Sequence, residues 1–106
     1  MYIEIHTTAK DMDEARKIAS ALVERKLAAC VNMYPVTSIY SWQGKVEEEE
    51  EIALSIKSTS DRLEDIRTSI RAMHSYDLPA ITFQEIKGDH DYLMWISDST
   101  SESSPA

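Results

Sequence analysis

The chain has 106 residues, 42% hydrophobic and 28% charged, which allows one globular domain and excludes a disordered chain. Eleven Lys and Arg against nineteen Asp and Glu give a formal charge of −8, which argues against a phosphate-binding nucleic-acid surface and against anionic lipid. No apolar run approaches the roughly 20 residues of a membrane-crossing helix, and the single cysteine, Cys30, excludes an internal disulfide framework.

Tyr2–Thr7 alternates apolar and polar residues and predicts a strand with Ile3 and Ile5 facing the core. Asp11, with Glu14 three residues on, has capping-box spacing. Met12, Ala15, Ile18, Ala19, Leu22 and Val23 then form one helical stripe running to about Lys26. From Ala29 the period returns to two, with Val31 and Met33 on one face and Cys30, Asn32 and Tyr34 on the other. Pro35 cannot donate to a ladder and marks an edge or a bulge before the strand resumes over Thr37–Trp42. Gln43-Gly44 reads as a hairpin tip and Lys45–Ser58 as the return strand. Ser60 is placed to cap a second helix carrying Leu63, Ile66, Ile70 and Met73. Pro79 stops any continuation, Ala80–Ile86 reads as a fourth strand with Ile81 and Phe83 aligned, and Asp89–Asp98 as a short terminal helix. Residues 1–98 are expected to form the domain, and the Ser-rich residues 99–106 a flexible tail.

The order β-α-β-β-α-β plus a terminal helix predicts an α+β, ferredoxin-like (split β-α-β) sandwich with both main helices on one face of an antiparallel sheet. Such a layer cannot reach the end of the long hairpin Val36–Ile56, where Tyr40 and Trp42 need cover. Oligomerisation supplies it.

Five blocks carry a family resemblance over residues 2 to about 97: Lys26-Leu27-Ala28-Ala29-Cys30-Val31-Asn32; Thr37 through Glu47, with Trp42-Gln43-Gly44-Lys45; Ile56-Lys57-Ser58; His74-Ser75-Tyr76-Asp77-Leu78-Pro79; and Asp91-Tyr92-Leu93-Met94-Trp95-Ile96. In order and spacing they resemble the divalent-cation tolerance family, CutA. The resemblance implies a cytoplasmic, non-enzymatic homotrimer of PII-like architecture involved in tolerance of copper and other divalent ions. The chain departs from the family's pattern at Ser75, where members often carry proline, near Pro35-Val36, where many carry glycine, and in the dense run Glu47–Glu51.

The resemblance makes Cys30 a candidate soft ligand for copper, with His74 as a second metal candidate. The plainer reading of Cys30 is a small residue packed on a strand, and a histidine at a helix C-terminus is favoured by the helix dipole whatever else it does. The family's pattern also places Trp42, Lys57, His74 and Tyr76 in a cleft between subunits, where an imidazole, an ammonium and a phenol suit a small anion or a metal complex. An alternative function follows: a PII-like signalling trimer that binds a small metabolite or anion there. A third is a purely structural assembly protein. The run Glu47–Glu51 alternates between two strand faces, so no face gathers all five carboxylates. Glycine occurs only at 44 and 88, which leaves no phosphate-cradling loop, and no catalytic triad or carboxylate pair stands out. No cofactor is expected beyond copper or another divalent cation. Self-association and metal ions are the expected partners, with neither nucleic acid nor membrane.

Overall fold

Burial alternates strictly along the first strand, β1 (Tyr2–Ala9), with Ile3, Ile5, Thr7 and Ala9 inside. The computed structural model describes residues 1–101. After β1 comes α1 (Met12–Glu24), whose N-cap is Asp11: its side chain accepts the Glu14 N–H at 2.8 Å. Glu14 reaches back one residue further, accepting the Lys10 N–H at 3.2 Å. The helix closes with Leu27 and Ala28 N–H both bonded to Leu22 O, and with Lys26 in the left-handed region at φ 60°. Ala15, Ile18, Ala19 and Leu22 are buried, whereas Val23 lies outside the stripe, 42% exposed.

The hairpin is β2 (Cys30–Trp42) and β3 (Lys45–Thr59). Ser60 caps no α-helix: Ser60–Arg62 is a 3-10 turn, and α2 (Leu63–Met73) starts behind it without a side-chain cap. The last strand, β4 (Thr82–Glu85), is shorter than the alternation suggests. Ile81 packs on the core from outside the strand, and Phe83 lies at the sheet edge, 57% exposed. The third helix, α3 (His90–Ser99), ends in a buried Thr100 whose hydroxyl bonds Ile96 O and whose carbonyl accepts both Arg62 Nε and Nη2. The expected tail, residues 99–106, overlaps this end of the fold. Ser99 and Thr100 belong to the folded unit, and residues 102–106 lie outside the described residues.

The strand order is β2-β3-β1-β4, antiparallel at each pairing. β1 and β2 thus run parallel with β3 between them, the split β-α-β arrangement. Ile3, Ile5 and Ala9 of β1 and Leu54 and Ile56 of β3 meet Ile18 and Leu22 of α1 and Ile66 and Ile70 of α2 in one core. The opposite sheet face is open except where α3 crosses it, with Tyr2 Oη and Ser97 Oγ hydrogen-bonded at 2.8 Å. Pro35 pairs opposite Ile52 with the register unbroken on either side, so it marks the edge strand rather than a bulge.

β1 pairs β3 only as far as Ala9 opposite Ile52. Beyond that point the hairpin continues from Val36 opposite Glu51 to Trp42 opposite Lys45 as a free two-stranded arm. The arm gives the molecule its long axis, 46 Å against 25 and 21 Å.

Candidate functional site

Two polar clusters flank the body of the sheet, one around Lys57 near the C-terminal end of β3 and one around Glu51, where the arm begins. At the first, Glu4, Lys57 and Cys30 stand side by side on β1, β3 and β2. Ser55 Oγ donates to Glu4 Oε2 at 2.6 Å, and Lys57 Nζ donates to Asn32 Oδ1 at 3.0 Å and Ser55 Oγ at 3.1 Å. The ammonium lies 3.8 Å from Glu4 Oε2, and Gln84 Nε2 donates to the other carboxylate oxygen at 3.2 Å. The Ser55 hydrogen bond holds the Glu4 carboxyl below the usual carboxylate range against the opposing pull of burial, with Gln84, Lys57 and His6 adding to it. Lys57 is 20% exposed at its side chain. Its charge is already answered by Glu4.

Cys30 borders this cluster, half-buried, with Sγ 3.9 Å from Asn32 Oδ1. Tyr92 of α3 lies beside it. Burial and then the neighbouring Cys30 push the Tyr92 phenol above its ordinary range.

His74 organises the second cluster. It ends α2, donating its backbone N–H to Ile70 O at 2.9 Å and turning extended at ψ 141°. Its side chain is fully buried. Nε2 lies 2.6 Å from Thr8 O, and the Tyr76 N–H meets Nδ1 at 3.1 Å. A carbonyl can only accept and a backbone N–H only donate, so in these two contacts Nε2 donates and Nδ1 accepts. The strand explains the contact. Tyr2 O is bonded from Ile86 on the β4 side, and by alternation Thr8 O points the same way, past the end of β4. His74 fills that place in the ladder.

Tyr76 packs on the imidazole with ring centres 4.7 Å apart, and its phenol donates to Glu51 Oε2 at 2.7 Å. Glu51, 8% exposed, is the one charged side chain in the buried set among the described residues. Burial first and the Glu51 carboxylate second push the Tyr76 phenol far above its ordinary range, so it remains a donor. Ser75 N–H donates to Glu14 Oε2 at 3.1 Å. Burial would raise the Glu14 carboxyl, but the hydrogen bonds from Ser75 and Lys10 outweigh it and bring it below the usual range.

Within one chain His74 and Tyr76 meet, whereas Lys57 and Trp42 stand apart from them. Lys57 and Glu51 occupy the same face of β3 six residues apart, about 20 Å at roughly 3.3 Å per residue, so Tyr76 is remote from Lys57. Trp42 is further away, at the arm's tip opposite Lys45 and 46% exposed. Cys30 and His74 are likewise at opposite ends of the sheet, and both imidazole nitrogens are taken. Among the described residues, no three His, Cys, Asp or Glu side chains group to hold a metal ion. Glu4, Ser55, Asn32, Glu14 and Glu51 were not singled out by sequence reasoning as site residues. For Glu51 the only available signal was its place where the Glu run meets the apolar half of β3.

The family model for the CutA1 divalent ion tolerance protein matches residues 3–99. The divalent-cation tolerance protein CutA of Archaeoglobus fulgidus is 40% identical over 100 residues, covering 93% of this chain and 98% of that protein. Its counterpart in Thermus thermophilus is 42% identical over 95 residues, covering 88% and 92%. A solved Archaeoglobus fulgidus structure, described as a periplasmic divalent cation tolerance protein, matches with a TM-score of 0.94 at 39% identity, covering 95% of this chain and all of that one. No helix among the described residues is long and apolar enough to cross a membrane.

Proposed function

Because this chain belongs to the CutA1 divalent ion tolerance family, we propose that it serves divalent-cation tolerance as a non-enzymatic homotrimer that responds to copper or a related ion. The observation that carries the trimer is the free arm. Ile39 and Val46 on one of its faces are 67% and 80% exposed, and Trp42 projects from the other. Large apolar side chains on both faces of a two-stranded ribbon call for cover by further copies of the chain. The lone thiol fits a reducing compartment, which supports the cytoplasm as its location.

The ion's first contact in this reading is Cys30, a half-exposed soft donor. His74 is set aside, because a metal on either nitrogen would displace the hydrogen bond to Thr8 O or the one from Tyr76 N–H. Metabolite binding in an inter-subunit cleft is the weaker reading, since Lys57, the cation it relies on, is paired with Glu4.

Calorimetric titration of the tag-free protein with copper, and in parallel with inorganic phosphate, tests both. Copper binding that drops at least tenfold in Cys30→Ser, with unchanged sedimentation, is the expected result. Equal affinity in the variant removes Cys30 from the ligand set, and phosphate binding without copper binding favours the signalling reading.

A further inference from the structure

The arm leaves the body of the sheet at a single place, and the loop after α2 is fastened across it. Ala9 opposite Ile52 is the last pair that β1 makes with β3. Glu51 is the next residue outward, the first one held by β2 alone. A two-stranded ribbon in water is marginal in stability and twists and bends easily. Glu51 is nevertheless buried and accepts the Tyr76 phenol at 2.7 Å. Tyr76 is itself anchored, through His74 and Ser75, on two fixed parts of the body, β1 and α1. Its backbone N–H is bonded to His74 Nδ1, His74 Nε2 is bonded to the β1 carbonyl of Thr8, and the intervening Ser75 N–H is bonded to Glu14 of α1.

We propose that His74-Ser75-Tyr76 is a strap that clamps the root of the hairpin arm to the β1–α1 body through the Tyr76–Glu51 hydrogen bond, and so fixes the direction in which the arm projects. A bond to a charged acceptor is among the stronger ones a side chain makes, and among the described residues Tyr76 is the hydrogen-bond donor that meets the buried Glu51 carboxylate. The strap acts at the pivot, where a small angular change is multiplied along the arm. Seven residue pairs lie from Val36–Glu51 to Trp42–Lys45, about 20 Å of strand. The orientation of the apolar surface on the arm is therefore set by a contact at its far end. Local opening of such a unit is separable from opening of the rest of the molecule.

Hydrogen exchange read by mass spectrometry on the full chain tests the strap. Tyr76→Phe removes one oxygen and keeps the ring on His74. It is expected to speed exchange of amides in residues 36–51 about tenfold while those in 2–9 and 12–24 keep the wild-type rate. Glu51→Ala should reproduce that pattern. Glu51→Gln, which retains an oxygen acceptor, should stay within about threefold of the wild type. Sedimentation of the same samples fixes the assembly state at which they are compared. No acceleration in Tyr76→Phe, equal acceleration throughout the chain, or loosening of the arm seen only when the assembly dissociates would each overturn the proposal.

Discussion

Two hydroxyls on the helix-covered face of the sheet are both fully buried, and they differ in what they touch. Ser58 Oγ donates to Leu27 O at 2.6 Å, tying the end of α1 to β3. Thr7 Oγ1, on β1, finds no hydrogen-bond partner among the described residues. A paired buried hydroxyl stabilises, whereas an unpaired one keeps its desolvation cost. Thr7→Val, which keeps the shape and removes the oxygen, is expected to raise stability by about 1 kcal/mol. Ser58→Ala leaves the Leu27 carbonyl bare and should lower it by about 1–3 kcal/mol. Urea unfolding at one protein concentration reads both, with unchanged slope showing that only stability moved. Glu4 adds a pH dependence of known sign. Its carboxyl sits below the ordinary 4.5, chiefly through Ser55. The stability it contributes is present above that value and is lost as pH falls through its lower folded value. Wild type should therefore exceed Glu4→Gln at pH 6, and the two should converge in acid.

At the scale of elements, the arm depends on its turn. Gln43 and Gly44 have φ of 51° and 80°, the two positive values of a type I′ hairpin whose twist matches that of the strands. A Cβ on Gly44 would meet nothing within 4 Å, so Gly44→Ala tests backbone preference alone and should cost about 1 kcal/mol. Gln43→Asn, better suited to that region, should gain roughly 0.5 kcal/mol. Thermal midpoints shifting in opposite directions would support the assignment, and a neutral Gly44→Ala would contradict it. The same turn was legible in the sequence, as were β1, α1 and the hairpin, because one buried face imposes a period that residue types record. Boundaries set by other forces were not legible. Ser60 has the chemistry of a cap, but the chain tightens into a 3-10 turn there. β4 stops at Thr82 although its apolar alternation extends further, because Pro79 and Ala80 make no ladder with β1.

The candidate site was legible only as a set of names. Cys30, Lys57, His74 and Tyr76 all take part in polar contacts; Cys30 meets Asn32 two residues on, but Lys57 meets Asn32, His74 the Thr8 carbonyl and Tyr76 the Glu51 carboxylate, each 25 or more residues away. No spacing rule encodes such contacts. For the molecule as a whole, charge gives the means to test how the arm is covered. Three copies at −8 each carry −24, so net electrostatics opposes association. The favourable terms must be apolar burial and strand pairing: burying a large apolar side chain is worth roughly 1.5–3 kcal/mol. The arm offers Ile39, Val46 and Trp42, and β2 and β4 both present an unpaired edge. Two different edges on one chain favour head-to-tail contacts, which close into a ring when the rotation allows. Salt then separates the contributions. The Debye length shrinks from about 30 Å at 0.01 M to about 8 Å at 0.15 M, so added salt should tighten the assembly by screening like charges. Trp42→Ala should weaken it at every ionic strength, because salt does not replace lost contact area. Sedimentation equilibrium from 0.01 to 0.5 M salt is expected to show a trimer at micromolar concentration that dissociates first at low salt and sooner in Trp42→Ala. A wild-type chain that sediments as a monomer throughout that range would defeat the trimer, and dissociation promoted by salt would mean that specific ion pairs, rather than the apolar arm, hold it together.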